Sequence, residues 1–477
     1  MVSESEDCSG DSLSQRDGSD DSDYEDAEEW PANEDHIRSD GDDEDFYNKQ
    51  DPTQELPSGG DPLYQGSKIN MKTFMIALLT FMLTHHLSGR CLQDLLALFA
   101  LLLPEHNNVI DSLYLFFKYF EVYRSSVVRN YYCSNCMDTL NASDSVCGRC
   151  GPGVDVSFFV HISVIDQLRK LFKIPGFYEN LSYPKTRVKT NVDAYEDLYD
   201  CALYKEALAC FLNVGNWVTF LWNSDGFAVF KSSTFEIWPV YLSINELPPH
   251  LRFKKEYMIL GGLWFGKGKP DPNVLLRPLY NELAILKQGV MVEIPSDENP
   301  VLYKAGLLCG TADSPARALF LRHKLFNGKF GCPKCLCRGE KSVGTKNVFV
   351  YPYAPNLVPR TDETQRRNLA AVQQTGKPQF GVKGPTIFQA MLMLSLVRST
   401  SIDEMHNIFL GIMQAQLKLW FGKEYRNEPF SMYQCTAIVS EYLCSIKPPH
   451  FLQRVPQSLL KLAFWKASEF KAFFLLL

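Results

Sequence analysis

Apolar residues form two long runs in the first quarter of the chain. Phe74–Leu83 and Leu95–Leu103 are nearly free of polar residues, but each is shorter than the ~18 residues that a membrane span needs. We therefore interpret both as buried helices and expect no membrane association. Ser112 is placed to cap a third helix over Leu113–Tyr123. Together these segments predict a helical region over residues 66–130.

The pattern changes from helical to strand-like at Trp217. The predicted elements are, in order, strands at Trp217–Trp222, Phe235–Ile244 and Tyr257–Phe265, a helix at Val274–Leu286, a strand at Lys304–Gly310 and a helix at Pro315–Phe326. Ser314 is the expected cap of the last helix, with Pro315 at its first position. This order predicts an α/β domain over residues 216–477, preceded by a mixed helical connector at 154–215 that offers DNA contacts.

Charge is distributed unevenly along the chain. Residues 1–61 carry a net charge of −19, and the remainder carries +12. Segment 1–65 has too few apolar residues to offset its chain entropy, so we expect a disordered acidic tail that could bind proteins. The basic remainder favours a polyanionic partner such as DNA. Its candidate phosphate contacts are Lys185, Arg187, Lys189, Arg252, Lys254, Lys255, Lys267, Lys269, Arg317, Arg322 and Lys324.

The 14 cysteines are too sparse for a disulfide scaffold, and the acidic N-terminal segment contains no secretory signal pattern. Four of them form two Cys-x-x-Cys pairs separated by ten residues. This spacing is typical of a tetrahedral zinc site with four thiolate ligands and no open position for catalysis. We therefore predict a structural zinc ribbon at residues 131–153, with the ligands Cys133, Cys136, Cys147 and Cys150.

A third Cys-x-x-Cys pair lies further along the chain. Cys332 and Cys335, with Cys337 close by, provide only half of a zinc site. The remaining ligands must come from elsewhere, and His406 is the best single candidate. The alternative is that these cysteines are free or redox-active thiols.

Two aspartates follow predicted strands. Asp225 follows the first strand and Asp313 follows Lys304–Gly310, so both could share divalent cations, which is the minimum for two-metal phosphoryl transfer. Taken alone, each is better explained as a turn or cap residue, because Asp-Gly is a common turn. Glu469 is the one acid among the aromatic residues of a C-terminal helix. That setting is typical of a solvated helix face and also of a buried metal ligand.

A series of short motifs now suggests a family. In order they are Tyr-Tyr-Cys-x-x-Cys, Trp-Asn-Ser-Asp-Gly, Ile-Trp-Pro-Val, Gly-Thr-Ala-Asp-Ser-Pro-Ala-Arg, Gly-Cys-Pro-Lys-Cys, Ile-Asp-Glu-Met-His-Asn-Ile-Phe-Leu-Gly-Ile and Trp-Lys-Ala-Ser-Glu-Phe. From about residue 66 to its end, the chain resembles the CACTA (En/Spm-like) DNA transposases in their animal form. The similarity lies in the order of the motifs rather than in any one of them.

The resemblance implies an α/β RNase H-like catalytic core with a helical insertion, beside the N-terminal helical region and the small four-cysteine zinc ribbon. It implies a DDE triad in which Asp225 and Asp313 are the first two acids, with Mg²⁺ or Mn²⁺ as the cofactor. We assign Glu469 as the third acid, with Asp403 as its rival. Asp403 and His406 are then structural or zinc-linked residues.

The function expected from the resemblance is a transposase that cuts and joins DNA strands by two-metal phosphoryl transfer, as a homo-oligomer in the nucleus. The alternative is a catalytically inactive, transposase-derived protein that binds zinc and DNA. A third hypothesis, an acidic interaction protein with no nucleic-acid role, conflicts with the basic remainder of the chain. The apolar run at residues 473–477 has no stop signal for a helix, which predicts a C-terminally incomplete chain.

Overall fold

The computed structural model of the protein describes residues 56–212, 215–228, 235–342, 349–447, 454 and 456–476. Most of the predicted acidic tail therefore lies outside the described residues. The chain divides into two compact units, Met1–Arg124 and Ser125–Leu477.

The first unit contains three capped helices: α1 (Met71–Thr84), α2 (Gly89–Leu102) and α3 (Leu113–Tyr119). Asn70, Ser88 and Ser112 each accept a backbone N–H at the start of the helix that follows. The helices bury one face against each other, with Met71, Leu92 and Phe116 in the core. Within the described residues, no helix has both the length and the apolar character needed to cross a bilayer.

The second unit is built on one large sheet. Its strands are β1 (Val127–Cys133), β2 (Thr139–Leu140), β3 (Val156–Ile162), β4 (Asn216–Asn223), β5 (Phe227–Ala228), β6 (Phe235–Ile244), β7 (Ile259–Lys267), β8 (Val290–Val292), β9 (Val301–Ala312) and β12 (Thr400–Ile402), while β10 (Glu340–Lys341) and β11 (Phe349–Val350) pair separately. The main order is β12-β9-β4-β6-β7-β3-β1-β2, with β5 beside β6 and β8 beside β9. The sheet therefore ends at two very short strands, β12 on one edge and β2 on the other.

Strand direction divides the sheet into two parts. β4 pairs in parallel with β9, and β9 pairs in parallel with β12. The remaining main ladders, from β4 through β6, β7, β3 and β1 to β2, are antiparallel. The carboxyl ends of β4, β9 and β12 consequently meet at one end of the sheet.

Helices cover the sheet and lie between β3 and β12 along the chain. They are α4 (Val164–Phe172), α5 (Phe177–Asn180), α6 (Tyr183–Thr186), α7 (Ala202–Ala207), α8 (Pro249–Arg252), α9 (Pro272–Leu275), α10 (Arg277–Gln288), α11 (Ser314–Phe320), α12 (Asp362–Thr375), α13 (Phe388–Met391) and α14 (Leu396–Ser399). Aromatic residues fill the space near α11, where Trp222, Phe320 and Phe388 are in mutual ring contact. The predicted strands and the helix over 274–286 are confirmed, although that helix is divided into α9 and α10.

The start of α11 differs from the prediction. Asp313, and not Ser314, is its cap, because Asp313 Oδ1 accepts the backbone N–H of Ala316 at 2.7 Å. Pro315 is therefore the second helical residue. The helix also ends at Phe320 instead of Phe326, and shortly afterwards Arg322 takes a left-handed φ of 48°. An aspartate that caps a helix is held in one orientation by the backbone.

The last part of the chain is helical. It comprises a π-helical segment, Met405–Met413, followed by α15 (Gln414–Phe421), α16 (Thr436–Ser445) and α17 (Ala467–Leu476). These helices share a core that includes Phe409, Leu417 and Phe470. α17 packs on the π-helical segment, where the rings of Phe409 and Phe474 lie 6.1 Å apart.

Charged side chains are paired near the end of β6, on the side of the sheet away from the carboxyl end of β4. Arg252 Nη2 lies 2.7 Å from Asp197 Oδ2, and Arg187 Nη2 lies 2.5 Å from Asp200 Oδ1. Glu246 is buried and accepts the backbone N–H of Thr219 at 2.7 Å. We call this set of residues the paired end of the sheet.

Candidate active site

Three aspartates lie at the carboxyl ends of three adjacent parallel strands. Asp225 comes two residues after β4, Asp313 directly after β9 and Asp403 directly after β12. The Asn223 side chain donates to the carbonyl of Thr311 at 3.0 Å and so fixes the ends of β4 and β9 beside each other. Because neighbouring strands lie only ~4.8 Å apart, the topology brings these acids together. We call this set, with His406, the acid end of the sheet.

The electrostatics of Asp225 reflect this convergence. Desolvation by the surrounding protein and then the charge of Asp313 raise the pKa of Asp225, and the positive charge of His406 opposes them. The tight turn after Asp225 requires Gly226, since a Cβ at that position would lie 2.1 Å from the Trp238 ring. The turn packs closely against the buried Trp238 ring. This packing holds Asp225 at the end of its strand.

Asp403 and His406 form a pair. His406 Nδ1 is hydrogen-bonded to Asp403 Oδ2, and Asp403 Oδ1 also accepts the backbone N–H of Met405 at 2.8 Å. The hydrogen bond from His406 lowers the pKa of Asp403, and the same bond raises the pKa of His406. The charges of Asp313 and Asp225 raise the pKa of His406 further. The neighbouring carboxylates therefore favour the protonated form of His406.

Glu469 lies on α17. It is only 1% exposed, and its Oε2 accepts the backbone N–H of Lys466 at 2.8 Å. Its Oε1 is buried and has no hydrogen-bond partner among the described residues. α17 packs on Met405–Met413, the segment that carries His406. A buried carboxylate oxygen without a partner is costly and calls for a ligand that the protein itself does not supply.

Nowhere in the described residues do three of these acids have oxygens all within 4.8 Å of one another. The acid end is thus a group of neighbouring charges rather than a closed cage. Mg²⁺ suits such a group, since it keeps several waters and uses few carboxylates.

Residues 209–374 match the Transposase family tnp2. The match supports a transposase. The matched range contains Asp225 and Asp313 together with Cys332 and Cys335, and it ends before Asp403 and Glu469. No curated protein matches the chain. A transposase binds DNA, so the match also supports the expected nucleic-acid partner.

Several basic residues predicted to contact DNA are not free to do so. Arg252 and Arg317 are about 95% buried, and Arg187 is paired with Asp200. Desolvation lowers the pKa of Arg317, and the charge of Asp313 opposes that effect. The Arg317 guanidinium donates to Ser314 Oγ at 2.9 Å. The sequence could not show this, because burial depends on which helix covers each residue.

The four-cysteine cluster forms as predicted. The ligand atoms of Cys133, Cys136, Cys147 and Cys150 all lie within 4.8 Å of one another, so this group could hold a zinc ion. Each Cys-x-x-Cys pair lies in a turn followed by a residue with positive φ, Met137 after the first and Gly151 after the second. The backbone N–H of Cys136 is the main cause that lowers the pKa of the Cys133 thiol, to about 7. Zinc binds thiolates, and a lowered pKa favours that form.

The third Cys-x-x-Cys pair, Cys332 and Cys335, is held differently. Cys335 pairs with Pro359 in an antiparallel bridge, and Arg360 Nε donates to the Cys332 carbonyl at 2.8 Å. Within the described part of the chain, Cys332, Cys335 and His406 do not bring their ligand atoms within 4.8 Å of one another. A second zinc at these residues stays a prediction.

The lysine inside this pair is a residue that the sequence did not single out. Lys334 Nζ donates to the carbonyl of Val397 at 2.6 Å and also to the carbonyl of Thr400. Desolvation, followed by the charge of Arg317, lowers the pKa of Lys334. Lys334 therefore ties the cysteine turn to the start of β12, the strand that leads to Asp403. A lysine between two turn cysteines was the only signal available in the sequence.

Proposed function

We propose that this protein is a CACTA-type DNA transposase that cuts and joins DNA strands at Asp225, Asp313 and Glu469. The observation that carries the proposal is the convergence of acids at the ends of adjacent parallel strands, two of them within the tnp2 match. Ligands of open α/β sheets bind at the carboxyl ends of strands, which is where Asp225 and Asp313 lie.

The proposal includes an RNase H-like core. It is supported by the order β7-β6-β4-β9-β12, in which three antiparallel strands are followed by two that run parallel to β4. The helices between β12 and α17 would form the inserted region.

Glu469 is a better candidate than Asp403 for the third acid because fewer of its carboxylate oxygens are engaged in hydrogen bonds. Asp403 already accepts hydrogen bonds from His406 and from the backbone of Met405. Glu469 instead keeps one buried oxygen without a partner in the described residues. We therefore assign Asp403 and His406 as a charge pair that supports the site.

Asp225, Asp313 and Glu469 would hold Mg²⁺ or Mn²⁺. Carboxylate oxygens are the hard ligands that these cations prefer. One buried oxygen of Glu469 has no hydrogen-bond partner among the described residues. A cation would also relieve the repulsion between Asp313 and Asp225, which contributes to the raised pKa of Asp225. When bound, the ions would polarise the phosphodiester and lower the pKa of an attacking water.

The chain's own groups would orient the reactants. The water oxygen forms a bond to phosphorus and the bond from phosphorus to the 3′-oxygen breaks. The water proton passes to solvent, and the 3′-oxygen takes up a proton from solvent to become a 3′-hydroxyl. The 3′-hydroxyl then attacks a phosphodiester of target DNA in the same way and releases its proton. The helix cap fixes Asp313 and the Gly226 turn fixes Asp225 through both steps.

We place this activity in the nucleus, on transposon ends and target DNA, with a homo-oligomer joining two ends. The test is cleavage of DNA that carries the element's terminal repeats, with Mg²⁺ added or withheld. Mg²⁺-dependent release of a 3′-hydroxyl that Asp225→Asn and Glu469→Gln abolish is the expected result. DNA binding with no cleavage under any metal would instead favour the inactive, transposase-derived alternative.

We also propose that the four-cysteine cluster binds structural zinc. Metal analysis of the full chain should find zinc that Cys133→Ser removes and that Cys91→Ser, at an exposed thiol in the other unit, retains. Equal zinc in both variants would reject the site.

A further inference from the structure

A cavity of about 190 Å³ opens beside the acid end. Its lining includes direct chain neighbours of Asp313, Asp403 and His406, namely Ser314, Ile402 and Asn407. The volume is below the ~300–1,000 Å³ of cofactor-sized pockets. The cavity therefore suits a ligand with about one ring system.

One wall of the cavity comes from the loop that follows α11, Arg322–Gly331. This loop contains Lys324 and Lys329 as well as Phe326 and Phe330. Phe326, in the cavity wall, is 57% exposed. Within the described part of the chain, neither Lys324 nor Lys329 has a carboxylate within 4.0 Å. An exposed aromatic ring among unpaired lysines is the usual arrangement for binding single-stranded nucleic acid.

The loop is held in a fixed conformation. The Tyr351 hydroxyl donates to the Gly328 carbonyl at 2.5 Å and accepts the backbone N–H of Gly331 at 3.0 Å. Arg322 and Phe330 have left-handed φ values of 48° and 59°, which cost energy for residues other than glycine. Such strain is often kept where a ligand needs a preformed surface.

We propose that this cavity and Phe326 bind one unpaired nucleotide of the DNA strand, next to the phosphodiester that the acids act on. The base stacks on Phe326 and enters the cavity, while Lys324 and Lys329 neutralise its phosphates. A base pair is too wide for the cavity, so the nucleotide must be unpaired. This inference rests on the proposed function, because DNA is the substrate that the acids would process.

The experiment compares two DNA probes: a blunt duplex, and the same duplex with a short single-stranded overhang that carries 2-aminopurine at the junction. Binding is followed by anisotropy and by 2-aminopurine emission, without divalent metal. The variant is Phe326→Ala. Its matched control is Phe253→Ala, which removes a ring of nearly equal exposure, 58%, after α8 at the paired end of the sheet.

The wild type should bind the overhang more tightly than the duplex, with a change in 2-aminopurine emission. Phe326→Ala should weaken overhang binding by about 5- to 150-fold, the usual loss for one base–aromatic stack, and leave duplex binding unchanged. Phe326→Trp should retain overhang binding, and Phe253→Ala should behave as the wild type.

Equal affinity for both probes, or equal overhang binding by wild type and Phe326→Ala, would overturn this inference while leaving the proposed function in place. Failure to bind either probe, or duplex binding with no cleavage in the metal-dependent assay, would instead count against the proposed function.

Discussion

The two ends of the sheet use acidic residues in opposite ways. At the paired end, Asp197 and Asp200 each face an arginine at hydrogen-bonding distance. At the acid end, desolvation and then the charges of Asp313 and Asp403 raise the pKa of Asp225. Both sets lie in the same unit, so the contrast is not one of composition. The acids at the paired end stabilise the fold, whereas the acids at the acid end repel one another until a ligand is bound.

The largest effect should come from removing charge at the acid end. Asp313→Asn keeps a side chain that caps α11 well, so the fold should persist. We expect Mg²⁺-dependent DNA cleavage to fall about 10³-fold or more, with DNA affinity unchanged or higher because a negative charge near the phosphate is lost. Asp297→Asn, on a loop before β9, is the carboxylate control. Full cleavage by Asp313→Asn would remove Asp313 from the site.

The same kind of change at the paired end should damage stability instead. Arg252→Met leaves Asp197 buried without its partner, at a cost of about 3–5 kcal/mol in the free energy of unfolding. Arg398→Met breaks a pair with Glu206 whose side chains are nearly half exposed, and it should cost less than ~1 kcal/mol. Urea unfolding of both variants measures the difference. Equal losses would show that the two pairs are not distinguished by burial.

A third prediction concerns the link between the cysteine turn and the acid end. Lys334→Met removes the tie to Val397 and Thr400, whereas Arg360→Met removes hydrogen bonds to Cys332, Phe330 and Phe380 in the same region. We expect Lys334→Met to lower kcat about 10- to 100-fold at unchanged DNA affinity, because a misplaced β12 displaces Asp403. Arg360→Met should lose stability but keep kcat per folded molecule. If Lys334→Met and Arg360→Met have the same kcat per folded molecule, the role of Lys334 is only structural.

The smallest effect is a difference in the sign of pH dependence. The hydrogen bond from Arg187 lowers the pKa of Asp200, so its contribution to stability is present above the unfolded pKa, ~4, and is lost as pH falls through the folded pKa. The raised pKa of Asp225 acts the other way, and its ionised form disfavours the folded state above pH ~4.

At pH 7, Asp200→Asn should therefore destabilise the protein and Asp225→Asn should not, and both differences should shrink at low pH. Unfolding free energies at pH 7 and at about pH 2, below the unfolded pKa of both aspartates, test this in one series. The same sign for both variants would contradict the contrast between the two ends.

Features encoded by nearby residues could be predicted from the sequence. The spacing of Cys133, Cys136, Cys147 and Cys150 sufficed for the metal cluster, since both turns close within a few residues. The strands β4, β6, β7 and β9 were recognisable from β-forming residues, and they placed Asp225 and Asp313 at strand ends.

Features that depend on distant segments could not be predicted. Nothing local shows that Arg252 and Arg317 are buried, or that Lys334 reaches a strand more than sixty residues away. The same limit explains why Asp403 and Glu469 were rivals: β12 has only three residues, and its pairing with β9 is visible only in the fold.

The short outer strands have a consequence for how copies of this protein behave at high concentration. A sheet of this width would normally offer unpaired backbone along both sides, on which another molecule could add a strand and begin to aggregate. Here one side ends in the two residues of β2, next to the cysteine cluster, and the other in the three residues of β12. Loss of the turn that holds β2 would uncover Tyr131 and Tyr132, the two residues of β1 that pair with β2, so aggregation is the expected first sign of damage to that region.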